Sequence, residues 1–292
     1  MIEGTIVKGI GGFYYIKAEG EVIECKARGK LRKDKIIPMV GDKVSISIDP
    51  STGKGSIEEI LPRQTELLRP PVANIDQAII VFSIKNPDPN LPLLDKFLVR
   101  VEKEALEILI CVNKADIDIA ENFDLIKNIY SKAGYVVLNT STKTGEGIDF
   151  LKGLLKDKIT VFAGPSGVGK SSLLNAIQTN LKLQTGEISE KNKRGKHTTR
   201  HVELLELEFG GWVLDTPGFS SLDVETIEKD ELQHYFKDFL PLLGQCKYQS
   251  CIHLYEPECM IKKAMIAGDI SKERYDSYIQ LLEEIQKTKR RY

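Results

Sequence analysis

Cysteine is scarce in this chain of 292 residues: there are five, and three of them fall between Cys246 and Cys259. That distribution suits a reducing cytoplasm and a metal site better than a disulfide framework. Long apolar runs are missing too. None approaches the ~18 residues of a membrane span, and no signal-peptide pattern heads the chain, so a cytoplasmic protein without a membrane partner is expected. Neither sign of charge is in excess. The formal net charge of −1 removes any chain-wide nucleic-acid signal and confines an RNA-binding surface to local patches. What remains is a globular composition, 41% hydrophobic and 28% charged, enough for two or three compact domains.

The most specific pattern present is Gly164-Pro165-Ser166-Gly167-Val168-Gly169-Lys170-Ser171, which fits the phosphate-loop template G-x-x-x-x-G-K-[ST] without a mismatch. The apolar run Ile159-Thr160-Val161-Phe162-Ala163 precedes it and a helical pattern from Ser172 to Ile177 follows, so a strand should feed a glycine turn that opens a helix. Successive N–H groups in such a turn point at one spot, and the helix N-terminus adds partial positive charge for a β-phosphate. Lys170 then reaches the β- and γ-phosphates, and the Ser171 hydroxyl takes one position on Mg²⁺.

Base choice must come from elsewhere. Glu107 to Val112 reads as a buried parallel strand, with Asn113-Lys114-Ala115-Asp116 at its carboxyl end, where open α/β sheets bind ligands. The Asp116 carboxylate can accept both guanine N1–H and the 2-amino N–H, a pair that adenine does not offer. Lys114 would cover the base, and Asn113 would tie neighbouring loops together. A second strand, Tyr135 to Leu138, ends in Asn139-Thr140-Ser141-Thr142-Lys143. That run resembles the guanine-contacting Ser-Ala-Lys loop of GTPases, with Thr142 in place of alanine.

Two further elements lie downstream. Asp215-Thr216-Pro217-Gly218 ends a hairpin with arms from His201 to Phe209 and Gly211 to Leu214, turning at Gly210-Gly211. It matches the D-x-x-G element, in which the aspartate holds Mg²⁺ through water and the glycine N–H meets the γ-phosphate. Residues 191–200 are polar and basic, in the manner of a switch loop or a solvated surface loop. One of Thr198 and Thr199 should complete the Mg²⁺ shell; spacing does not say which. The water-orienting glutamine that commonly follows D-x-x-G is absent, since Phe219 stands there. The nearest side chain with suitable chemistry is His197, either a water-polarising catalytic residue beside Lys170 and the switch threonines or a surface histidine.

The base motif therefore precedes the phosphate loop, the reverse of the order in ordinary GTPases, as in a circularly permuted domain. Cys246, Cys251, His253 and Cys259, spaced C-x₄-C-x-H-x₅-C, offer three thiolates and an imidazole, the closed tetrahedral set that structural Zn²⁺ prefers. The first 65 or so residues carry five short β runs separated by glycine and proline turns, the pattern of a small OB-like barrel. Between its third and fourth runs, residues 26–35 hold six basic residues against one acidic, either a phosphate-backbone contact or a solvated loop. Arg63 to Pro71 makes a plausible boundary.

From end to end the chain resembles the ribosome small subunit-dependent GTPase A family. The resemblance implies a multidomain α/β protein: an RNA-binding barrel over residues 1–68, a permuted GTPase domain over 69–223 and a zinc-binding helical segment over 224–292. It implies GTP hydrolysis to GDP and phosphate with Mg²⁺, the small (30S) ribosomal subunit and its rRNA as partners, and a role late in the maturation of that subunit. The guanine and phosphate contacts are expected from Asn113, Lys114, Ala115, Asp116, Ser141, Thr142, the residues 164–172 through Ser172, Asp215 and Gly218. A monomer is expected. An RNA-binding scaffold that holds GTP as a structural ligand is the alternative that Phe219 keeps open.

Overall fold

The computed structural model describes residues 1–33, 36–68, 71–118, 122–178, 202–214 and 227–289. Strands β1 (Ile2–Ile10), β2 (Phe13–Ala18), β3 (Glu21–Ala27), β4 (Lys43–Ile48) and β5 (Gly55–Ile60) close into a barrel in the order β1-β2-β3-β5-β4. Alternation along the strands turns Ile6, Ile16, Cys25, Val44, Ile46 and Ile57 into a dry interior. The β3–β5 pair is parallel and the others antiparallel, the closure of a five-stranded OB-like barrel. The basic stretch between β3 and β4 is not all loop: Gly29–Lys33 forms a short helix, α1, pinned by the buried Leu31. Tyr14 and Tyr15 are both half-buried against the core.

The stretch expected as a boundary is built into both neighbours. Strands β6 (Glu66–Leu68) and β7 (Pro71–Ala73) pair antiparallel, and Val72 bridges to Val40. Arg63 bonds the fully buried Asp42 through Nε at 2.7 Å and through Nη2 at 2.9 Å. Asn74 donates to the Gly41 carbonyl at 2.9 Å and accepts from the Gln64 N–H at 2.8 Å. Leu67, Val72 and Ile75 carry one apolar core from the barrel into the next layer.

That layer is a sheet of β8 (Gln77–Ser83), β9 (Glu107–Asn113), β10 (Val136–Thr140), β11 (Ile159–Ala163), β12 (Leu204–Glu206) and β13 (Trp212–Leu214), in the order β10-β9-β8-β11-β13-β12. Only β12 runs antiparallel. Strands β8 and β11 are buried along their whole length, as the central strands of a sheet covered on both faces must be. Helices α2 (Leu91–Glu102), α3 (Asn122–Lys132), α4 (Ile148–Leu155) and α5 (Lys170–Ile177) cover it. The α2 N-terminus is set by Asn90, whose side chain accepts from the Leu93 N–H at 2.9 Å, with Pro92 in the first turn.

The C-terminal segment adds two 3₁₀ turns (Leu232–Tyr235 and Leu240–Leu242) and helices α6 (Met260–Ala267) and α7 (Lys272–Lys289). Its core of Phe236, Phe239, Tyr278 and Leu282 includes Val99 of α2. Arg274, 1% exposed, bonds Asp95 of α2 at 2.5 Å and Asp238 at 2.6 Å, with the Phe236 ring 4.5 Å from its guanidinium carbon. Desolvation works against that charge, and the two carboxylates outweigh it. No helix among the described residues is long and apolar enough to cross a membrane.

Candidate nucleotide site and metal centre

Parallel register brings the carboxyl ends of four strands to one edge: Ser83 lies opposite Asn113, Asn113 opposite Thr140, and Ala163 opposite Ile80. The phosphate loop leaves β11 there and enters α5. Gly164 has φ +133, and a Cβ on it would stand 2.1 Å from the Val81 carbonyl oxygen. At Gly169, φ +95, a Cβ would meet Asn113 Nδ2 at 2.5 Å. Side chains at these two positions would push the loop off the sheet edge, so glycine is a steric requirement here. Val168 is buried, Ser166 and Gly167 face outward, and Pro165, Ser171 and Ser172 are half-buried at the helix start. Lys170 Nζ donates to the carbonyls of Gly164 at 2.8 Å and Pro165 at 2.6 Å, and burial lowers its pKa.

The base motif follows β9 on the adjoining strand. Asn113, 1% exposed, donates from Nδ2 to the Val168 carbonyl at 2.9 Å and accepts from the Thr140 hydroxyl at 3.2 Å. Lys114 sits in the left-handed region, and its ammonium bonds the carbonyls of Gly167, at 2.8 Å, and Asn86. Ala115 opens the short turn that carries Asp116. One oxygen of Asp116 accepts from the Ser141 hydroxyl at 2.7 Å, and the other lies 3.2 Å from Lys143 Nζ. The Ser141 bond, and after it Lys143, holds the Asp116 carboxyl below its usual pKa, so it is an anion at neutral pH. Thr142 lies half-buried in the same loop, which Gly145 closes by donating its N–H to the Ser141 carbonyl at 2.9 Å.

The structure thus brings together Asn113, Lys114, Ala115, Asp116, Ser141, Thr142 and the phosphate loop from Gly164 to Ser172. His197, Thr198, Thr199, Asp215 and Gly218 lie outside the described residues. Two participants were not singled out from the sequence. Thr140 places its hydroxyl between Asn113 and Cys111 Sγ, 3.3 Å away. The Ser83 to Pro87 turn, closed by the Ser83 hydroxyl on the Pro87 carbonyl at 2.8 Å, offers the Asn86 carbonyl to Lys114. A threonine at a strand end was the only available cue for the first; the second is a backbone contact with no side-chain signature.

The candidate metal centre belongs to a different core, that of the C-terminal segment. The ligand atoms of Cys246, Cys251, His253 and Cys259 all lie within 4.8 Å of one another. His253 Nδ1 stands 3.7, 3.4 and 3.3 Å from the sulfurs of Cys246, Cys251 and Cys259, and Cys246 and Cys259 are 4.0 Å apart. Those separations suit the edges of a tetrahedron with metal bonds of about 2.3 Å to sulfur and 2.0 Å to nitrogen. The other imidazole nitrogen, Nε2, is 2.8 Å from Gln233 Oε1, which fixes the tautomer that leaves Nδ1 free to ligate. Burial lowers the His253 pKa and keeps the ring neutral. Hydroxyls of Tyr275 and Tyr278 bond the carbonyls of His253 and Ile252 at 2.8 and 2.9 Å, seating the ligand loop on α7. The Cys₃His cluster has the donors and the spacing that a metal ion requires.

Comparison with known proteins identifies the family. The family model described as RsgA GTPase matches residues 60–225, and that of the RsgA N-terminal domain matches residues 3–57. A small ribosomal subunit biogenesis GTPase RsgA from Caldanaerobacter subterraneus subsp. tengcongensis is 53% identical over 292 residues, covering 100% of this chain and 98% of its own length. One of the same description from Alkaliphilus metalliredigens is 52% identical, covering 99% and 100%. Among solved structures, YjeQ from Thermotoga maritima superposes with a TM-score of 0.86 at 41% identity, covering 98% of each chain. YloQ, described as a circularly permuted GTPase, gives 0.83 at 40% identity, covering 99% and 96%. With its base motif ahead of its phosphate loop on one parallel sheet edge, an N-terminal barrel and full-length similarity to these proteins, the chain belongs to the RsgA family of circularly permuted GTPases.

Proposed function

We propose that this protein hydrolyses GTP to GDP and phosphate and acts on the small ribosomal subunit during its biogenesis, as its relatives are described as doing. One observation carries the nucleotide reading: an ionised Asp116 carboxylate and a glycine-built phosphate cradle meet at one sheet edge, joined by the Asn113 to Val168 bond. In this reading Asp116 accepts the guanine amidine edge, and Lys114 exchanges carbonyl contacts for the face of the base. Backbone N–H groups of residues 164–171 hold the phosphates, while Lys170 leaves the Gly164 and Pro165 carbonyls for the β- and γ-oxygens. Ser171, one of Thr198 and Thr199, and Asp215 through water would hold Mg²⁺, which neutralises developing charge on the phosphoryl oxygens. Gly218 would meet the γ-phosphate. His197 would polarise the attacking water, the position after D-x-x-G being occupied by Phe219.

Zn²⁺ is the ion proposed for Cys246, Cys251, His253 and Cys259, in a structural role, since four protein ligands leave no open position. The barrel, residues 1–68, would contact rRNA, with the GTPase module over 69–223 and the metal segment over 224–292; the protein would work as a cytoplasmic monomer. Turnover measured with and without purified small subunits tests the proposal. Slow hydrolysis alone and strong stimulation by subunits are expected. Tight GTP binding with no turnover in either condition would overturn it in favour of an RNA-binding scaffold that holds GTP structurally.

A further inference from the structure

The β12–β13 hairpin is gripped from three sides. On its inner edge β13 pairs with the phosphate-loop strand, Ile159 opposite Trp212 and Thr160 opposite Val213. Just past the end of α5, Gln178 accepts from the Glu208 N–H at 2.8 Å and donates to the Glu206 carbonyl at 3.4 Å. The third grip comes from the barrel. Lys8 of β1 forms an antiparallel bridge with Glu203, its ammonium 2.6 Å from that carboxylate, and Lys17 of β2 reaches Glu206 at 2.8 Å. Beside these pairs runs a groove of about 610 Å³ lined in part by Tyr15, Val22 and Trp212. Leu204 and Leu214 share one apolar core with the barrel, and the two ion pairs and the single bridge add the directional contacts at the hairpin edge.

Strand β13 ends at Leu214, and the next residue in the chain is Asp215. A strand is stiff along its length, so whatever fixes the lateral position of this hairpin also fixes the point from which the D-x-x-G segment departs. The geometry points to Lys8 and Lys17 as positioning residues for GTP hydrolysis, acting through Glu203 and Glu206 on the strand pair that leads into that segment. The barrel therefore does more than add a binding surface: it belongs to the support of the hydrolytic half of the site. Ion pairs that stay partly open to solvent, as these two do, contribute little to fold stability, whereas a displacement of about 1 Å near reacting groups costs roughly a hundredfold in rate. Kinetics and stability should consequently respond differently to loss of the pairs.

The inference rests on the GTPase reading above, and the test keeps the two apart. Full-length protein is compared with Lys8→Glu/Lys17→Glu and with the swap that adds Glu203→Lys and Glu206→Lys. The measurements are kcat and KM for GTP without subunits, affinity for fluorescent GDP, and the thermal midpoint. Charge reversal is expected to lower kcat about tenfold while leaving GDP affinity within about twofold, because GDP has no γ-phosphate to engage D-x-x-G. The swap should restore most of the loss. Should reversal prevent folding, Lys8→Gln/Lys17→Gln removes the charges, keeps the stems and must move kcat in the same direction. An active parent whose variants are equally active, or a loss that the swap leaves unrepaired, overturns this inference alone; a parent without turnover overturns the GTPase reading instead.

Discussion

Asn113 and Val168, one in the base motif and one in the phosphate loop, share a buried hydrogen bond of 2.9 Å across 55 positions of sequence. The base motif and the phosphate loop are therefore registered by one buried side chain. Asn113→Ala should weaken GDP and GTP alike by about tenfold, since a buried carbonyl losing its donor costs about 1–3 kcal/mol. Titration with fluorescent nucleotides checks this, and unequal losses would show that the bond does not register the site.

Asp116→Asn exchanges an acceptor pair for one acceptor and one donor. The variant should lose GTP affinity and gain affinity for xanthosine triphosphate, whose 2-oxo group accepts a hydrogen bond. Competition between the two nucleotides on the parent and variant reads the change directly. GTP affinity equal to the parent's would remove Asp116 from the base contact.

One Zn²⁺ per chain is expected from metal analysis, with occupancy lost in Cys251→Ser. Burial, with the neighbouring cysteines adding to it, pushes the Cys251 thiol up to about 12, so thiolate at neutral pH there calls for a cation. Chelation should loosen the packing of α6 and α7 while GDP binding persists, followed by hydrogen exchange and nucleotide titration on the same sample.

Among the described residues Arg274 is the largest fully buried side chain, and its charge is matched by Asp95 and Asp238. Arg274→Ala would leave both carboxylates buried without a counter-charge, which costs about 3–5 kcal/mol. Urea unfolding should register that loss, with helices α2 and α7 losing exchange protection together.

Lys170 has a lowered pKa because burial penalises its charge, and among the described residues its bonded partners are carbonyl oxygens. Phosphate oxygens beside it favour the ammonium, so binding raises the pKa. The sign follows: nucleotide binding at alkaline pH should take up protons, and affinity should fall as pH rises through the lowered value. Calorimetry in buffers of different ionisation enthalpy measures the uptake, and its absence above neutrality would contradict this account.

The phosphate loop and base motif were legible because each is a local backbone solution: Gly164 and Gly169 are demanded by the approach of neighbouring strands, and a demand of that kind leaves glycine at fixed spacing. The Cys₃His set was legible for a similar reason, four ligands close in sequence. Arg274 was not. A buried arginine looks in one dimension like any exposed one on an amphipathic helix, and only tertiary packing reveals that Asp95 and Asp238 surround it. Pro70-Pro71 suggested a break, yet Val72 and Asn74 stitch that segment to Val40 and Gly41, partners more than thirty positions upstream. The helix α1 escaped notice because Leu31 is the one apolar anchor in a basic run.

The position of β12 and β13 at the end of the sheet order also has a temporal meaning. A ribosome synthesises from the N-terminus, and strands β10, β9, β8 and β11 are contiguous neighbours that need nothing from the hairpin to pair. By the time residue 178 has cleared the exit tunnel, the base loops, the phosphate loop and the bond between Asn113 and Val168 all have their parts available. The base motif and the phosphate loop thus have all their parts in residues that leave the ribosome before the D-x-x-G segment does.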